Sequence, residues 1–398
     1  MLTRFISAPT TIAFLALTAA IFADEKPDAV PLKKFLPGPT PKSDSAKKKP
    51  APAPAQADKT DETDKADAGA QNAAKPAADV KPPAPAAAEN KATPDAEPEP
   101  QAARAILVTK REITSQLEIF LDQQLFSPGM IDGLPGPAVT RALKRWQRAH
   151  ALPETGVVDE SVPLASVYPV YTFHTVKKEE MKFVGDLPRA TSEQAKKKFL
   201  PYPGYADFLA ERYHTNREFL GRLNPKTRLD SLKPGDEVRV PNVEPFKLEE
   251  MPDTGNFAEA PEYADRHVVI TRKETTLDIF EGEKLLASVP IAPGSPAHPT
   301  PQGKWKILGI ASMPTFRWDE GVLNRGVRTD KFYMLPAGPR NPVGVAWIGL
   351  NKPGIGIHGT NNPYSIGTFA SHGCMRTANW DIARVSKMLT AGVAIEIR

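Results

Sequence analysis

The stretch IGIHGTNNPYSIGTFASHGCMR, residues 355–376, holds Cys374, the only cysteine in the 398-residue chain, and two of its seven histidines, His358 and His372. A thiol attacks only as thiolate, and an ordinary pKa of about 8.5 leaves little thiolate at neutral pH. A nucleophilic Cys374 therefore needs a base, and a neutral imidazole can take its proton. His372 is two residues away. On an extended strand the two side chains would share a face, whereas a turn at Gly373 would separate them. His358 lies far enough back to occupy a neighbouring strand and face the thiol. Gly373 lets the backbone approach a substrate closely, so N–H groups at Gly373 and Cys374 are candidates for holding an oxyanion. Arg376, just past the thiol, carries a planar fork suited to a carboxylate.

Three other readings compete. His358, His372 and Cys374 are soft-metal ligands by type, but the spacing lacks a fourth ligand and matches no usual zinc pattern. An inert buried cysteine sits poorly among Ser, His, Gly and Arg. A redox thiol has no resolving partner in the chain. No metal and no cofactor is expected.

Outward from this stretch, residues 264–398 read as mostly β. HVVITRK, TTLDIFEGEKLLASVPIAPG, TPQGKWKILGI, KFYMLPAG and GVAWIGLN alternate apolar and polar residues between turn signals. TANWDIARVSKMLTAG is a helix with Asn379 as candidate N-cap and Gly392 past its end, and VAIEIR is a closing strand. Turn density with few helices predicts a β sandwich or barrel.

Two smaller units precede it. In 105–168, Ile113, Leu117, Phe120 and Leu121 share one helical face. Pro137 opens a second helix, carrying Val139, Ala142, Leu143 and Trp146 at helical spacing. In 169–245, YADFLAERYHTNREFLGRLNP gives two short helices with Tyr205, Phe208, Leu209 and Tyr213 on one face, and Thr215 with Glu218 forms a capping box. YTFHTV and LKPGDEVRVP supply flanking strands. The expected fold class is mixed: a mostly-β domain with a small helical and a small α+β accessory domain.

Residues 1–23 have the layout of a signal peptide, with Arg4, an apolar run and a cut after Ala23. Residues 24–104 are rich in Ala, Pro and Lys, with Phe35 the only aromatic, and form a semi-stiff spacer. Export to a periplasm or cell wall is expected, where a lone cysteine has no partner in its own chain. The net charge of +4 comes from interspersed signs. No nucleic-acid partner is expected.

HGT at 358–360 followed by SHGCMR at 371–376 resembles the catalytic motif of the L,D-transpeptidase (YkuD) family, with Met375 and Arg376 in its last two places. TPQGKWKI at 300–307 resembles a strand of the same family. Residues 105–168 resemble the small three-helix peptidoglycan-binding domain through Gly129, Ile131, Asp132, Gly133, Trp146, Gln147 and Leu152. Residues 169–245 resemble LysM, a glycan-binding module, but with about thirty residues inserted after the first strand. These resemblances imply a YkuD-like fold acting on peptidoglycan, both its stem peptides and its glycan strands. Cys374 would attack the carbonyl of the third residue of a tetrapeptide stem, D-Ala would leave, and an amine would resolve the thioester into a 3→3 cross-link. His358 would be base and later acid. Ser371, His372 and Gly373 would shape the catalytic loop. Thr360 would support His358, and Gly359, Thr360 and Arg376 would line the substrate. β-Lactams of the carbapenem class would inhibit. Water as acceptor (an L,D-carboxypeptidase), D-amino-acid exchange and a non-catalytic wall-binding protein stay open. So does the acceptor, a stem or an anchored envelope protein.

Overall fold

The computed structural model describes residues 101–253 and 255–398. The expected signal peptide, and the spacer up to residue 100, lie outside the described residues. Residues 110–398 pack as one compact unit.

Helices α1 (Gln101–Gln123) and α2 (Pro137–Ala149) open the unit. Pro137 sits at the start of α2, as its fixed φ and missing N–H favour. Phe120 meets Trp146 edge to face at 5.1 Å. Leu117, Phe120 and Leu121 are buried, but Ile113 is 47% exposed. The single apolar stripe expected of α1 fails because its far half is enclosed on all sides: Ser115, Glu118 and Asp122 are buried too.

Strand β1 (Tyr171–Thr175) pairs antiparallel with β2 (Glu237–Pro241), and α3 (Thr191–Gln194), α4 (Tyr205–Arg212) and α5 (Arg217–Leu223) lie between them in sequence. Tyr205, Phe208, Leu209 and Tyr213 are all buried. The cap of α5 is Asn216, whose side chain accepts the Phe219 N–H at 2.7 Å. Thr215, expected there, is buried instead and donates its hydroxyl to the Ile131 carbonyl between α1 and α2.

The remaining strands are β3 (Gly255–Asn256), β4 (Arg266–Thr271), β5 (Thr276–Glu281), β6 (Lys284–Pro290), β7 (Gly303–Ser312), β8 (Phe316–Trp318), β9 (Tyr333–Leu335), β10 (Ala346–Leu350), β11 (Gly356–His358), β12 (Met375–Arg376) and β13 (Ala394–Ile397). Helix α6 (Glu320–Arg325) sits between β8 and β9, and α7 (Asn379–Ser386) follows β12. One nine-stranded sheet runs β12-β11-β10-β7-β13-β4-β5-β6, with β3 also on β7. It curls until its ends meet. Ala292, just past β6, exchanges both backbone bonds with Arg376 of β12, at 2.7 and 3.0 Å. Residues 255–398 therefore form a mostly-β curled sheet, whose inner face buries Val268, Ile270, Ile279, Ile348, Ile357 and Ile395. The seam closes beside Cys374.

Helix α7 packs on β10 and β11. Asn379 is not its cap. The cap position is Ala378, with no side-chain bond, and Asn379 is buried at the first helical position. Its amide is used elsewhere, as described below.

Candidate active site

β11 and β12 run parallel, with Ile357 opposite Met375 and His358 opposite Arg376. Side chains alternate along a strand. Ile357 and Met375 are fully buried in the core, so His358, Cys374 and Arg376 fall on the opposite side. The histidine sixteen residues back thus occupies the adjacent strand. His372 does not join it. Gly373 has φ 109°, in the left-handed region open to glycine, and the turn leaves His372 exposed with its ring 5.1 Å from that of His298. Among the described residues, His358, His372 and Cys374 do not form a metal-holding group.

Ser371 braces the turn from inside. Its buried hydroxyl accepts the Gly373 N–H at 3.2 Å and donates to the Cys374 carbonyl at 2.5 Å. The Gly373 N–H, a candidate oxyanion donor in the sequence, is already bonded in this arrangement.

His358 is 4% exposed and donates Nδ1–H to the Gly359 carbonyl at 2.6 Å. That bond places the proton on Nδ1 and leaves the lone pair on Nε2. The imidazole stacks on Trp347, its register partner on β10, with centroids 5.2 Å apart and 13° between planes. Burial, helped by the Arg376 charge and opposed by the Gly359 bond, holds His358 down to about 3, so the ring is neutral. The Cys374 thiol is half-buried and donates to the Gly354 carbonyl at 3.5 Å. Burial pushes it up to about 11, against the pull of the Gly356 N–H and Arg376. Both groups are therefore neutral at rest, the thiol keeping its proton and the imidazole carrying one on Nδ1.

Arg376 is half-buried, and its Nε is buried with no hydrogen-bond partner among the described residues. Its charge acts on Cys374, His358 and His372. Among the described residues it is a cation beside the nucleophile on which no carboxylate acts.

Gly359 and Thr360, expected to line the substrate, are both buried. The Thr360 hydroxyl accepts the Asn362 N–H at 3.1 Å, and a Cβ on Gly359 would lie 2.2 Å from the Asn379 side-chain oxygen. Their part is to hold the loop that carries His358. Nothing in the motif points to Trp347. The signal for it is the alternation of AWIGL opposite GIGIH, which puts residue 347 across from residue 358 once the two strands pair.

Residues 265–397 match the family model described as "L,D-transpeptidase catalytic domain" (YkuD), and residues 110–162 match "Putative peptidoglycan binding domain". A protein of Bacillus licheniformis named "Putative L,D-transpeptidase YkuD" is 26% identical over 189 residues, which is 48% of this chain and 90% of that one. A protein of Salmonella typhimurium named "Probable L,D-transpeptidase ErfK/SrfK" is 39% identical over 144 residues, 34% of this chain and 45% of its own. The crystal structure of Mycobacterium tuberculosis L,D-transpeptidase 1 aligns at 19% identity over 34% of this chain and 61% of that chain, with a TM-score of 0.25.

Proposed function

We propose that this chain, whose residues 265–397 are an L,D-transpeptidase-family catalytic domain and whose residues 110–162 are a peptidoglycan-binding domain, forms 3→3 cross-links between peptidoglycan stem peptides through a thioester on Cys374. The observation that carries this reading is the parallel register of β11 and β12, which sets His358 beside the strand of Cys374 with Nε2 unprotonated. Cys374 Sγ attacks the carbonyl carbon of the third residue of a tetrapeptide stem as its proton passes to His358 Nε2. The C–N bond to D-Ala breaks, and His358 returns the proton to the leaving amine. The amine of a neighbouring stem then attacks the thioester carbonyl and gives its proton to His358, and Cys374 departs as the thiolate and takes that proton back. Splitting amide exchange into two acyl transfers lowers each barrier.

The neutral resting couple fits this order. A thiol held at about 11 waits until substrate arrives, which limits side reactions of an exported nucleophile. Arg376 takes the terminal D-Ala carboxylate in a bidentate pair. Ser371 keeps the loop shape, and His372 stands at the exposed edge of the loop. The site of action is the periplasm or cell wall, and a carbapenem would acylate the same sulfur. Incubation of the full chain with disaccharide-tetrapeptide muropeptides should release D-Ala and yield 3→3 dimers. Tripeptides alone would assign hydrolysis, and swapped terminal residues would assign D-amino-acid exchange. Product formation by the Cys374→Ala variant would overturn the mechanism.

A further inference from the structure

Beneath the loop that carries His358 lies a buried carboxylate from a different part of the chain. Glu211, in the last turn of α4, is 3% exposed. It accepts the Asn379 side-chain N–H at 2.5 Å, with the Tyr202 hydroxyl and the Arg340 charge beside it. The Asn379 amide also donates to the Pro339 carbonyl at 3.1 Å. With its nitrogen held by two acceptors, the amide cannot flip. Its oxygen is therefore fixed towards the N–H groups of Val345 and Thr360, each at 3.2 Å.

The Thr360 N–H belongs to the same peptide plane as the Gly359 carbonyl. A trans peptide is rigid, and its C=O and N–H point in opposite directions. Pulling the N–H toward Asn379 therefore aims the carbonyl away from it, at the Nδ1–H of His358. The slot for the Asn379 oxygen exists because two glycines face it. A Cβ on Gly344 would come within 2.1 Å of that oxygen, and a Cβ on Gly359 within 2.2 Å.

We propose that Glu211 is a positioning residue for the base. It fixes the Asn379 amide, the amide fixes the 359–360 peptide, and the peptide fixes the tautomer of His358. The inference rests on the assignment of His358 as base made above. It also gives the strand–helix–helix–strand unit at 169–245 a role at the catalytic loop. Two further contacts tie that unit to the same loop: Arg340, which bonds the Asn361 carbonyl at 2.8 Å, reaches Asp207 of α4 at 3.5 Å, and the Tyr364 hydroxyl donates to Glu218 of α5 at 2.8 Å.

Three variants of the full chain test it. Glu211→Gln keeps an acceptor oxygen at the same reach. Glu211→Asp keeps the carboxylate but is one methylene too short to reach Asn379, and Glu211→Leu removes the acceptor. The tautomer of His358 is read by nitrogen-15 NMR without substrate, the acylation rate of Cys374 with a carbapenem, and folding by thermal melting. Gln should keep the Nδ1–H tautomer and acylate within a few-fold of wild type. Asp and Leu should populate the other tautomer and slow acylation by about 10–100-fold. If Leu does not fold, Asp decides. Asp or Leu variants that melt earlier yet keep the tautomer and the rate would make Glu211 a packing residue and overturn the proposal. A wild-type chain that no carbapenem acylates would reject the assignment of the site, while the tautomer would still decide the role of Glu211.

Discussion

The indole of Trp347 lies flat against the imidazole of His358, with ring centroids 5.2 Å apart. Glycines make the room. A Cβ on Gly356 would come within 2.6 Å of the indole, and one on Gly349 within 3.2 Å. With the stack on one face and the Gly359 carbonyl on Nδ1, the ring has one orientation, and Nε2 is the nitrogen left to work.

Trp347→Ala removes the stack and should lower the carbapenem acylation rate of Cys374 by about 10–100-fold through misplacement of the base. Trp347→Phe retains an aromatic face and should keep most of the rate. Acylation of the Ala variant at the wild-type rate would take Trp347 out of the site.

Thiol reactivity should report a neutral resting couple. Below its pKa, a thiol gains about tenfold in thiolate per pH unit. Alkylation of Cys374 by iodoacetamide should therefore keep rising from pH 7 toward its value of about 11. Arg376→Gln should move the profile higher still, because the guanidinium pulls the thiol down. A plateau already reached at pH 7 would mean a preformed thiolate–imidazolium pair.

Among the described residues no carboxylate acts on the Arg376 guanidinium, so its removal should cost little stability. Arg376→Lys keeps the charge and loses the planar fork. It should raise KM or lower kcat/KM for tetrapeptide stems while the melting temperature stays put. Parallel loss of melting temperature and activity would instead make Arg376 a brace of the loop.

Much of the site was legible because it is local. Gly373 marks a turn, and the distance between His358 and Cys374 allows two neighbouring strands. Short-range spacing also located α2, α4 and α5. What was not legible depends on contacts between distant segments. Asn379 and Thr215 both look like helix caps in sequence, yet tertiary partners claim them: Asn379 for the loop of His358, Thr215 for the Ile131 carbonyl. Ile113 has the spacing of a core residue, but the enclosure of α1 begins only at Ser115. Glu211 reads as an ordinary surface acid of a short helix until the helix is placed on the loop.

Buried carboxyls set a pH dependence of stability. Burial pushes Glu211 up to about 7, Asp381 up to about 8 and Glu118 up to about 9. In the unfolded chain they titrate near about 4. Their stabilising contribution is therefore whole below about pH 4 and is lost as pH rises through about 7 to 9. Asp122 runs the other way. Burial opposes its charge, but His214 and Arg384 beside it hold it well below the ordinary range, so its contribution is present above about pH 4 and lost only in strong acid. Calorimetry of the full chain should find the highest melting temperature near about pH 5 and a decline toward pH 9. Asp381→Asn should flatten that decline. A melting temperature that climbs from pH 5 to 9 would refute this balance.

Everything proposed for this site requires that a stem peptide acylate Cys374 covalently. Intact-protein mass spectrometry after incubation with a tetrapeptide stem reads this directly. One adduct per chain is expected, with the mass of the tetrapeptide stem less that of the D-Ala released. It should be absent from Cys374→Ser and long-lived when acceptor amines are withheld. The same adduct on the Cys374→Ser variant, or D-Ala release by that variant at the wild-type rate, would contradict it.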